Sequence, residues 1–505
     1  MLGYCSAKIS TGITRDIRND IFRKVQDFSH SEYDAFGVSS MITRTTNDAF
    51  QILQFTNTLL RTALLTPIMF LVSLVMIVKT SLALSGVLAI TVPFIILGVI
   101  VIAKLSGPLS ETQQKRLDKL NRISRENLTG IRVIRAFGND DHENERFAHT
   151  NEDYAGVSKK LHKLMAASQP TFFFLLNLAI IAIFWVSSQM INVGTLQVGE
   201  LVAFIEYLFH AMFSIMLFSM VFIMYPKAQV SANRIQELLN AKPLIVSPEN
   251  GVKETKEQGL VEFDHVTFTY PDGEEPVLRD ISFTAKKGQT VAFIGSTGSG
   301  KSTLINLIPR FYDVTEGSIK IDGVDVRDYD LKTLRNKIGF IPQKTRLFTG
   351  TIANNIKFGK KDATQEEIKH STKVAQAYPF IKRKPKQFEE PISEGGANMS
   401  GGQKQRLSIA RAVVRKPEIY IFDDSFSALD FKTDATLRAK LKEETEESVV
   451  LIVAQRIGSI LEADKIIVLN EGEVVGIGTH SELLNTCQIY NEIALSQLTK
   501  EELMQ

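Results

Sequence analysis

Residues 290–303 read TVAFIGSTGSGKST. Thr290 to Ile294 make an apolar run of strand length, Gly295 to Ser302 match G-x-x-x-x-G-K-[ST], and Leu304, Leu307 and Ile308 follow at helical spacing. A strand, a glycine-rich loop and a helix in that order fix the local topology of any domain that contains them. Gly295, Gly298 and Gly300 let the backbone turn successive N–H groups inward on a phosphate. Ser296, Thr297 and Ser299 complete the loop, and Thr303 stands in the first turn of the helix, whose N-terminus faces the anion. Lys301 has the reach for the β- and γ-phosphates, and the Ser302 hydroxyl is placed to bind Mg²⁺. The loop specifies a nucleoside triphosphate. It leaves open a kinase, a GTPase, a helicase or a transporter.

The first half of the chain narrows that choice. Four stretches, Thr62 to Val78, Leu82 to Ala103, Thr171 to Ile191 and Leu201 to Tyr225, are apolar and long enough to span a bilayer. They come in two pairs joined by the short gaps Lys79 to Ser81 and Asn192 to Glu200, whereas the connection from Leu105 to Pro170 is long and rich in Lys and Arg. The positive-inside rule puts that connection in the cytoplasm and the short gaps outside, and the nucleotide-binding loop then falls on the side where ATP is. The expectation is a multi-pass protein of the cell membrane, in contact with lipid. A net charge of +2 gives no signal for a polyanion, so nucleic acid is not an expected partner, and two cysteines cannot build a disulfide framework.

Met1 to Phe28 lacks the apolar core of a signal peptide and reads as a polar helix. A break follows at Ser29 to Gly37, then polar helix from Val38 to Leu60 runs straight into the first apolar stretch. A second break lies near Phe137 to His142. Long helices that project beyond the bilayer are the economical reading. Val230 to Asn240 leads out of the membrane, Ala241 to Gln258 is a linker holding Pro243, Pro248 and Gly251, and alternating strands and helices begin at Gly259.

Three further features carry chemistry. Tyr270, at a strand end, reads equally as a platform for a nucleobase and as an ordinary sheet-face tyrosine. Ile419 to Asp424, IYIFDD, is an apolar strand ending in acids, and Asp423 fits the role of holding Mg²⁺ near Ser302. Asn398 to Arg406 reads NMSGGQKQR, where Ser400 and the N–H groups of Gly401 and Gly402 would form a second anion site at a helix start.

With Ser400, Gly401, Gly402 and Gln403 shortly before the acidic strand, the chain resembles the ATP-binding cassette (ABC) family over essentially its whole length. The resemblance implies an α-helical transmembrane domain of exporter-type long helices (1–240), the linker (241–258) and an α/β P-loop nucleotide-binding domain (259–505). It implies Tyr270 against adenine, Gln343 sensing Mg²⁺, Asp430 at a subunit boundary, and Ser400 to Gln403 closing on the γ-phosphate held by another subunit. SEGG at Ser393 to Gly396 and the two helical breaks resemble the family's contacts between motor and transport domain.

Three departures from the family matter. The first family helix and most of the second are missing, so an N-terminally truncated chain is expected. Asp424 stands where most members have the glutamate that polarises the attacking water, and Gln455 where they have a histidine that contacts the γ-phosphate. A carboxylate roughly 1 Å short can cost about 10²-fold in rate, and Gln carries no charge and relays no proton. Together they point to a degenerate ATP site in one half of a heterodimeric exporter, similar to bacterial multidrug exporters, with a second half-transporter as partner. A nucleotide-gated channel or regulatory membrane subunit is the alternative. The exported small molecule is open. Glu206 and His210, four apart in the last apolar stretch, read equally as substrate contacts and as helix–helix hydrogen-bonding groups.

Overall fold

The computed structural model describes residues 1–256 and 258–497. The chain divides into two compact units, one made of Met1–Asp20 with Arg44–Glu237, the other of Ile21–Thr43 with the chain from Leu238 onward.

The first unit is helical. Among the described residues, three helices that lie mostly in it are long and apolar enough to cross a membrane: Val38–Thr80, Asp140–Asn192 and Val198–Asn240. The apolar stretch beginning at Leu82 is the start of a fourth long helix, Leu82–Phe137. The turn between the first pair is tighter than the sequence suggests. Helix persists through Thr80, and the single extended residue Ser81 breaks it, its Oγ accepting from the Leu84 N–H at 3.4 Å as an N-cap. The break near Phe137 is as economical: Gly138 takes the left-handed conformation (φ +62°) that closes a helix, and the next helix begins at Asp140. The two helices it joins are laced together by Arg116 to Asp153 (2.8 Å), Arg146 to Glu126 (2.7 Å) and Gln113 to Ser158 (2.8 Å).

Pro67 lies in the Val38–Thr80 helix, where it has no N–H and its ring crowds the carbonyl four residues back. The turn it crowds, Leu59–Ala63, is a π-helical segment, which makes room for the ring. Ile77, Leu84, Leu176, Ile183, Phe204, Leu208 and Ala211 form the buried core of this unit.

In the second unit the short helix His30–Phe36 is closed at one end by a Ser29/Glu32 capping box and at the other by Gly37 at φ +71°. Glu32 also accepts the Leu244 N–H at 3.1 Å, and the His30 ring stacks on Phe311 at 4.6 Å. These contacts are why Ile21–Thr43 packs with residues far along the chain, a placement that boundaries drawn on composition do not show. Burial and the Arg335 charge hold the His30 pKa below its ordinary value, against the pull of Asp34.

The rest of this unit is α/β. Strands β1 (Leu260–Phe268), β2 (Leu278–Lys286), β4 (Glu316–Ile321) and β5 (Val324–Asp325) form an antiparallel sheet in the order β2-β1-β4-β5. The main sheet has six strands: β3 (Thr290–Gly295), β6 (Ile338–Ile341), β7 (Ile419–Asp423), β8 (Val449–Val453), β9 (Lys465–Asn470) and β10 (Glu473–Gly478). Their order is β10-β9-β3-β8-β7-β6, parallel except for the β10 edge. Every residue of β7 and β8 is buried, as expected of central parallel strands covered on both faces. One hydrophobic core fills the space between the two sheets, and another packs the helices against the far face of the main sheet.

Candidate functional site

Strand order decides what meets at the carboxyl edge of the main sheet, where ligands of open parallel sheets bind. β8 lies between β3 and β7, with Val453 opposite both Phe293 and Asp423, and Ile341 of β6 lies opposite Phe422. Four loops therefore leave one edge side by side. They carry the glycine-rich loop after β3, Gln455 after β8, Asp424 after β7 and Gln343 after β6.

The loop after β3 depends on glycine at two positions. A Cβ on Gly295 would sit 2.0 Å from the Leu469 carbonyl oxygen, and one on Gly300 2.7 Å from Leu278 Cδ2, at φ +157° and +91°. Lys301 is buried, and its Nζ donates to the carbonyls of Gly295 (2.9 Å) and Ser296 (2.7 Å) and to Ser299 Oγ (3.2 Å). Burial pushes its pKa down, while Asp424 and Asp423 pull it up. Thr297 and Gly298 form the exposed crest of the loop.

Ser302 Oγ donates to Asp423 Oδ1 at 2.9 Å, across 121 residues of chain. Burial raises the Asp423 pKa, with Asp424 adding to the effect and Ser302 and Lys301 opposing it. A hydroxyl and a carboxylate at this separation suit Mg²⁺, which takes few protein oxygens and completes its shell with phosphate and water. Gln343 Nε2 donates to Asp424 Oδ2 at 3.1 Å. Asp424 holds φ +44°, a left-handed conformation that Asp tolerates better than most side chains, and its N–H donates to the Val453 carbonyl at 3.0 Å. Tyr270 lies beside the loop, its hydroxyl 3.0 Å from Thr303 Oγ1 and its ring edge-on to Tyr312, whose own hydroxyl is pushed up to about 12, chiefly by burial.

Gln455 is exposed, one residue beyond Ala454, whose N–H donates to Phe293 at 3.0 Å. The structure thus gathers Tyr270, Gly295–Thr303, Gln343, Asp423, Asp424 and Gln455 around one edge.

Ser400 to Gln403 stand apart. Ser400 caps the helix Gly401–Val413 in a capping box with Gln403 (3.4 and 3.2 Å), and among the described residues no hydrogen bond joins them to the glycine-rich loop. Ser400 and Gly401 are exposed, and a Cβ on Gly401 would meet nothing within 4 Å. Asp430 is exposed at the N-cap of Phe431–Glu444, and hydrogen bonding from Thr433 lowers its pKa. In the segment Ser393 to Gly396, Gly395 accepts from Lys404 Nζ at 3.0 Å.

Comparison with known proteins fits these two kinds of unit to one family. Residues 1–216 match the ABC transporter transmembrane region and residues 278–427 the ABC transporter domain. An uncharacterized ABC transporter ATP-binding protein of Mycobacterium tuberculosis (strain ATCC 25618 / H37Rv) is 39% identical over 501 residues, covering 98% of this chain and 85% of that one.

The chain belongs to the ABC transporter family.

YfiB, an ABC transporter ATP-binding protein of Bacillus subtilis (strain 168), is 38% identical to this transporter over 99% of its length and 86% of YfiB. A candidate multidrug export ATP-binding/permease protein of Staphylococcus aureus (strain COL) is 34% identical over 95% of this chain and 83% of that one. The structure of a bacterial Atm1-family ABC exporter with ATP bound superposes with a TM-score of 0.81 at 25% identity, over 96% of this chain and 85% of the other. The transporter is membrane-embedded, with an ATP-hydrolysing domain of the ABC type on the cytoplasmic side.

Sequence reasoning missed one contact at the site. Gln497, the last described residue, donates from Nε2 to the Gln455 carbonyl (2.9 Å) and accepts the Ile457 N–H at Oε1 (2.8 Å). No motif signals it, because the pairing is between a side chain and a distant backbone.

In the first unit Glu206 and His210 are both exposed, one helical turn apart on Val198–Asn240, and neither hydrogen-bonds to another described residue. The opposite face of that helix, with Phe204, Leu208 and Ala211, is in the core.

Proposed function

We propose that this transporter is the degenerate-site half of an ATP-driven exporter. It would pair with a second half-transporter that carries intact catalytic groups and move a hydrophobic or amphipathic molecule, such as a drug, lipid or peptide, out across the cell membrane. In this reading residues 1–240 form the transport domain, 241–258 the linker and 259–505 the motor, with Ile21–Thr43 as the part of the transport domain that packs with the motor.

The observation that carries the reading is the pair Asp424 and Gln455 at the sheet edge. ATP would lie with adenine on Tyr270 and its phosphates on the N–H groups of Gly298 to Thr303. Lys301 would exchange the carbonyls of Gly295 and Ser296 for β- and γ-phosphate oxygens, a stronger charge-assisted contact. Ser302 and Asp423 would hold Mg²⁺, which neutralises charge on the phosphates. The carboxylate that should polarise the attacking water is one methylene short, and Gln343 already engages it. Gln455 offers hydrogen bonds but no charge. Such a site binds ATP and turns it over slowly.

Ser400 to Gln403, capped and with Ser400 and Gly401 exposed, would complete the partner's site, and Asp430 would lie at the boundary between them. Ionisable side chains within apolar helices line cavities or face partners, so Glu206 and His210 are the candidate substrate contacts. The test is ATPase activity of the purified chain alone and with its partner. Negligible activity alone and steady turnover in the pair are expected; robust hydrolysis by the chain alone would overturn the assignment.

A further inference from the structure

We infer that Gln497 is a positioning residue for the ATP site, clamping the loop that carries Gln455. The inference rests on the reading of Gln455 as a neighbour of the γ-phosphate. The side-chain amide of Gln497 bridges the loop as a backbone segment would, donating to the Gln455 carbonyl at 2.9 Å and accepting the Ile457 N–H at 2.8 Å. The two bonds straddle Arg456 and fix the peptide planes on both sides of it, so they set the direction in which Gln455 leaves β8.

The clamp has a rigid mount. Gln497 belongs to the helix Gln488–Gln497, which is anchored by Tyr490 and Ala494, both 0% exposed in the core beneath the sheet. Ala454, Ile457 and Ile460 of the loop belong to the same core, so helix and loop share one packed base. The far side of the loop is held independently. Arg438 donates to the Gly458 carbonyl at 2.9 Å and is itself oriented by two bonds to Asp434 (2.9 and 3.2 Å). Between these anchors a small cleft is lined by Asp424, Val453, Ala454 and Arg456, which places the clamped loop beside the acid at the end of β7.

A neutral glutamine has no charge to draw it to the γ-phosphate, so its contact depends on being held in place. Gln497 supplies that hold from a helix otherwise outside the site, and makes the helix Gln488–Gln497 a handle on nucleotide discrimination.

The test uses the full-length chain in lipid nanodiscs, with amide hydrogen exchange across residues 455–457 and displacement of a fluorescent ATP analogue by ATP and by ADP. Gln497→Ala removes both bonds. Gln497→Glu keeps an acceptor for Ile457 but loses the donor to Gln455. In Gln497→Ala the Ile457 amide should exchange faster and ATP affinity should fall on the order of fivefold, with ADP affinity unchanged. Gln497→Glu should keep Ile457 protected yet lose ATP affinity to a similar degree. Gln488→Ala, on the exposed face of the same helix, should change neither. Unchanged exchange at Ile457 in Gln497→Ala, or equal losses for ATP and ADP, would overturn the clamp. An unaltered ATP affinity in Gln455→Ala would instead refute the reading of Gln455 on which the inference rests, whatever the exchange shows.

Discussion

The transporter carries two loops that each end on a helix N-terminus suited to an anion, and they are built in opposite ways. The loop before Lys301 is a closed structure: Ser299 and Lys301 are buried, the lysine is held by two carbonyls and a hydroxyl, and Ser302 is tied to a carboxylate on another strand. The loop before Gly401 is tied by Asn398 to Ser393 and Pro391 and by the Ser400–Gln403 capping box, and it presents Ser400 and Gly401 to solvent. The first arrangement can hold a nucleotide with groups of this chain alone. Among the described residues, no hydrogen bond ties Ser400 to the groups around Lys301, which fits a surface that would meet a nucleotide held elsewhere. In the reading proposed above, the comparison also locates a chemical weakness. It lies around the closed loop, at Asp424 and Gln455, while the open loop keeps its full complement of donors.

Substitutions test this contrast, and the largest expected effect is at the open loop. Ser400→Ala removes a preorganised donor from the site completed with the partner, and ATPase activity of the paired transporter should fall about 10²–10³-fold. A loss of only a few fold would mean that Ser400 does not face a reacting phosphate.

The closed loop should show itself through pH. Burial raises the Asp423 pKa, so in the folded chain the ionised form is the costly one, and its contribution to stability falls as pH rises through the folded value. Binding of Mg²⁺ requires that same ionised form. Mg²⁺-dependent ATP binding by the chain should therefore weaken on acidification, beginning at a higher pH than an ordinary aspartate would give, by about tenfold per pH unit once Asp423 is protonated. Ser302→Ala removes a hydrogen bond that favours the carboxylate and should move the midpoint higher still. A midpoint in the ordinary aspartate range, measured by titration of ATP affinity with Mg²⁺ present, would count against Asp423 as the Mg²⁺ ligand.

The smallest effect is expected at Asp424. If this site already turns over slowly, Asp424→Asn should reduce ATPase activity of the pair by no more than about threefold, less than 1 kcal/mol in the barrier. A loss matching that of Ser400→Ala would show that Asp424 is a working catalytic base.

How much of this was legible beforehand depended on whether a feature is local in sequence. The glycine-rich loop is contiguous, so its strand, turn and helix could be read directly, and the meeting of Ser302 with Asp423 followed from the chemistry of Mg²⁺ although 121 residues separate them. The apolar stretches were legible because a bilayer demands length, and the breaks at Ser81 and Gly138 were readable to within a residue or two. Gln343 entered as a Mg²⁺-sensing glutamine through family resemblance, since nothing in IPQ alone specifies it, and its bond to Asp424 was seen only in the structure.

Other features were not legible. Packing of Ile21–Thr43 against residues some 280 positions later depends on His30 meeting Phe311, a contact fixed by tertiary structure. The left-handed backbone at Asp424, just beyond its strand, goes with a bond from its N–H to the Val453 carbonyl of a neighbouring strand. Gln497 bonds to backbone groups about 40 residues away, and backbone groups leave no trace in the identity of the residues that bear them.

The asymmetry proposed for the two ATP sites is tested most directly by following the γ-phosphate itself. The paired transporter is allowed to turn over with 8-azido-ATP labelled either at the γ- or at the α-phosphate, then illuminated so that nucleotide cross-links to the subunit that holds it; Tyr270, beside the loop, is the proposed platform for the adenine that carries the label. This chain should retain γ-label nearly in proportion to α-label, because it holds intact ATP, while the partner retains α-label and loses γ-label. Equal loss of γ-label from both subunits would mean that both sites hydrolyse alike, and the degenerate-site reading of Asp424 and Gln455 would be wrong.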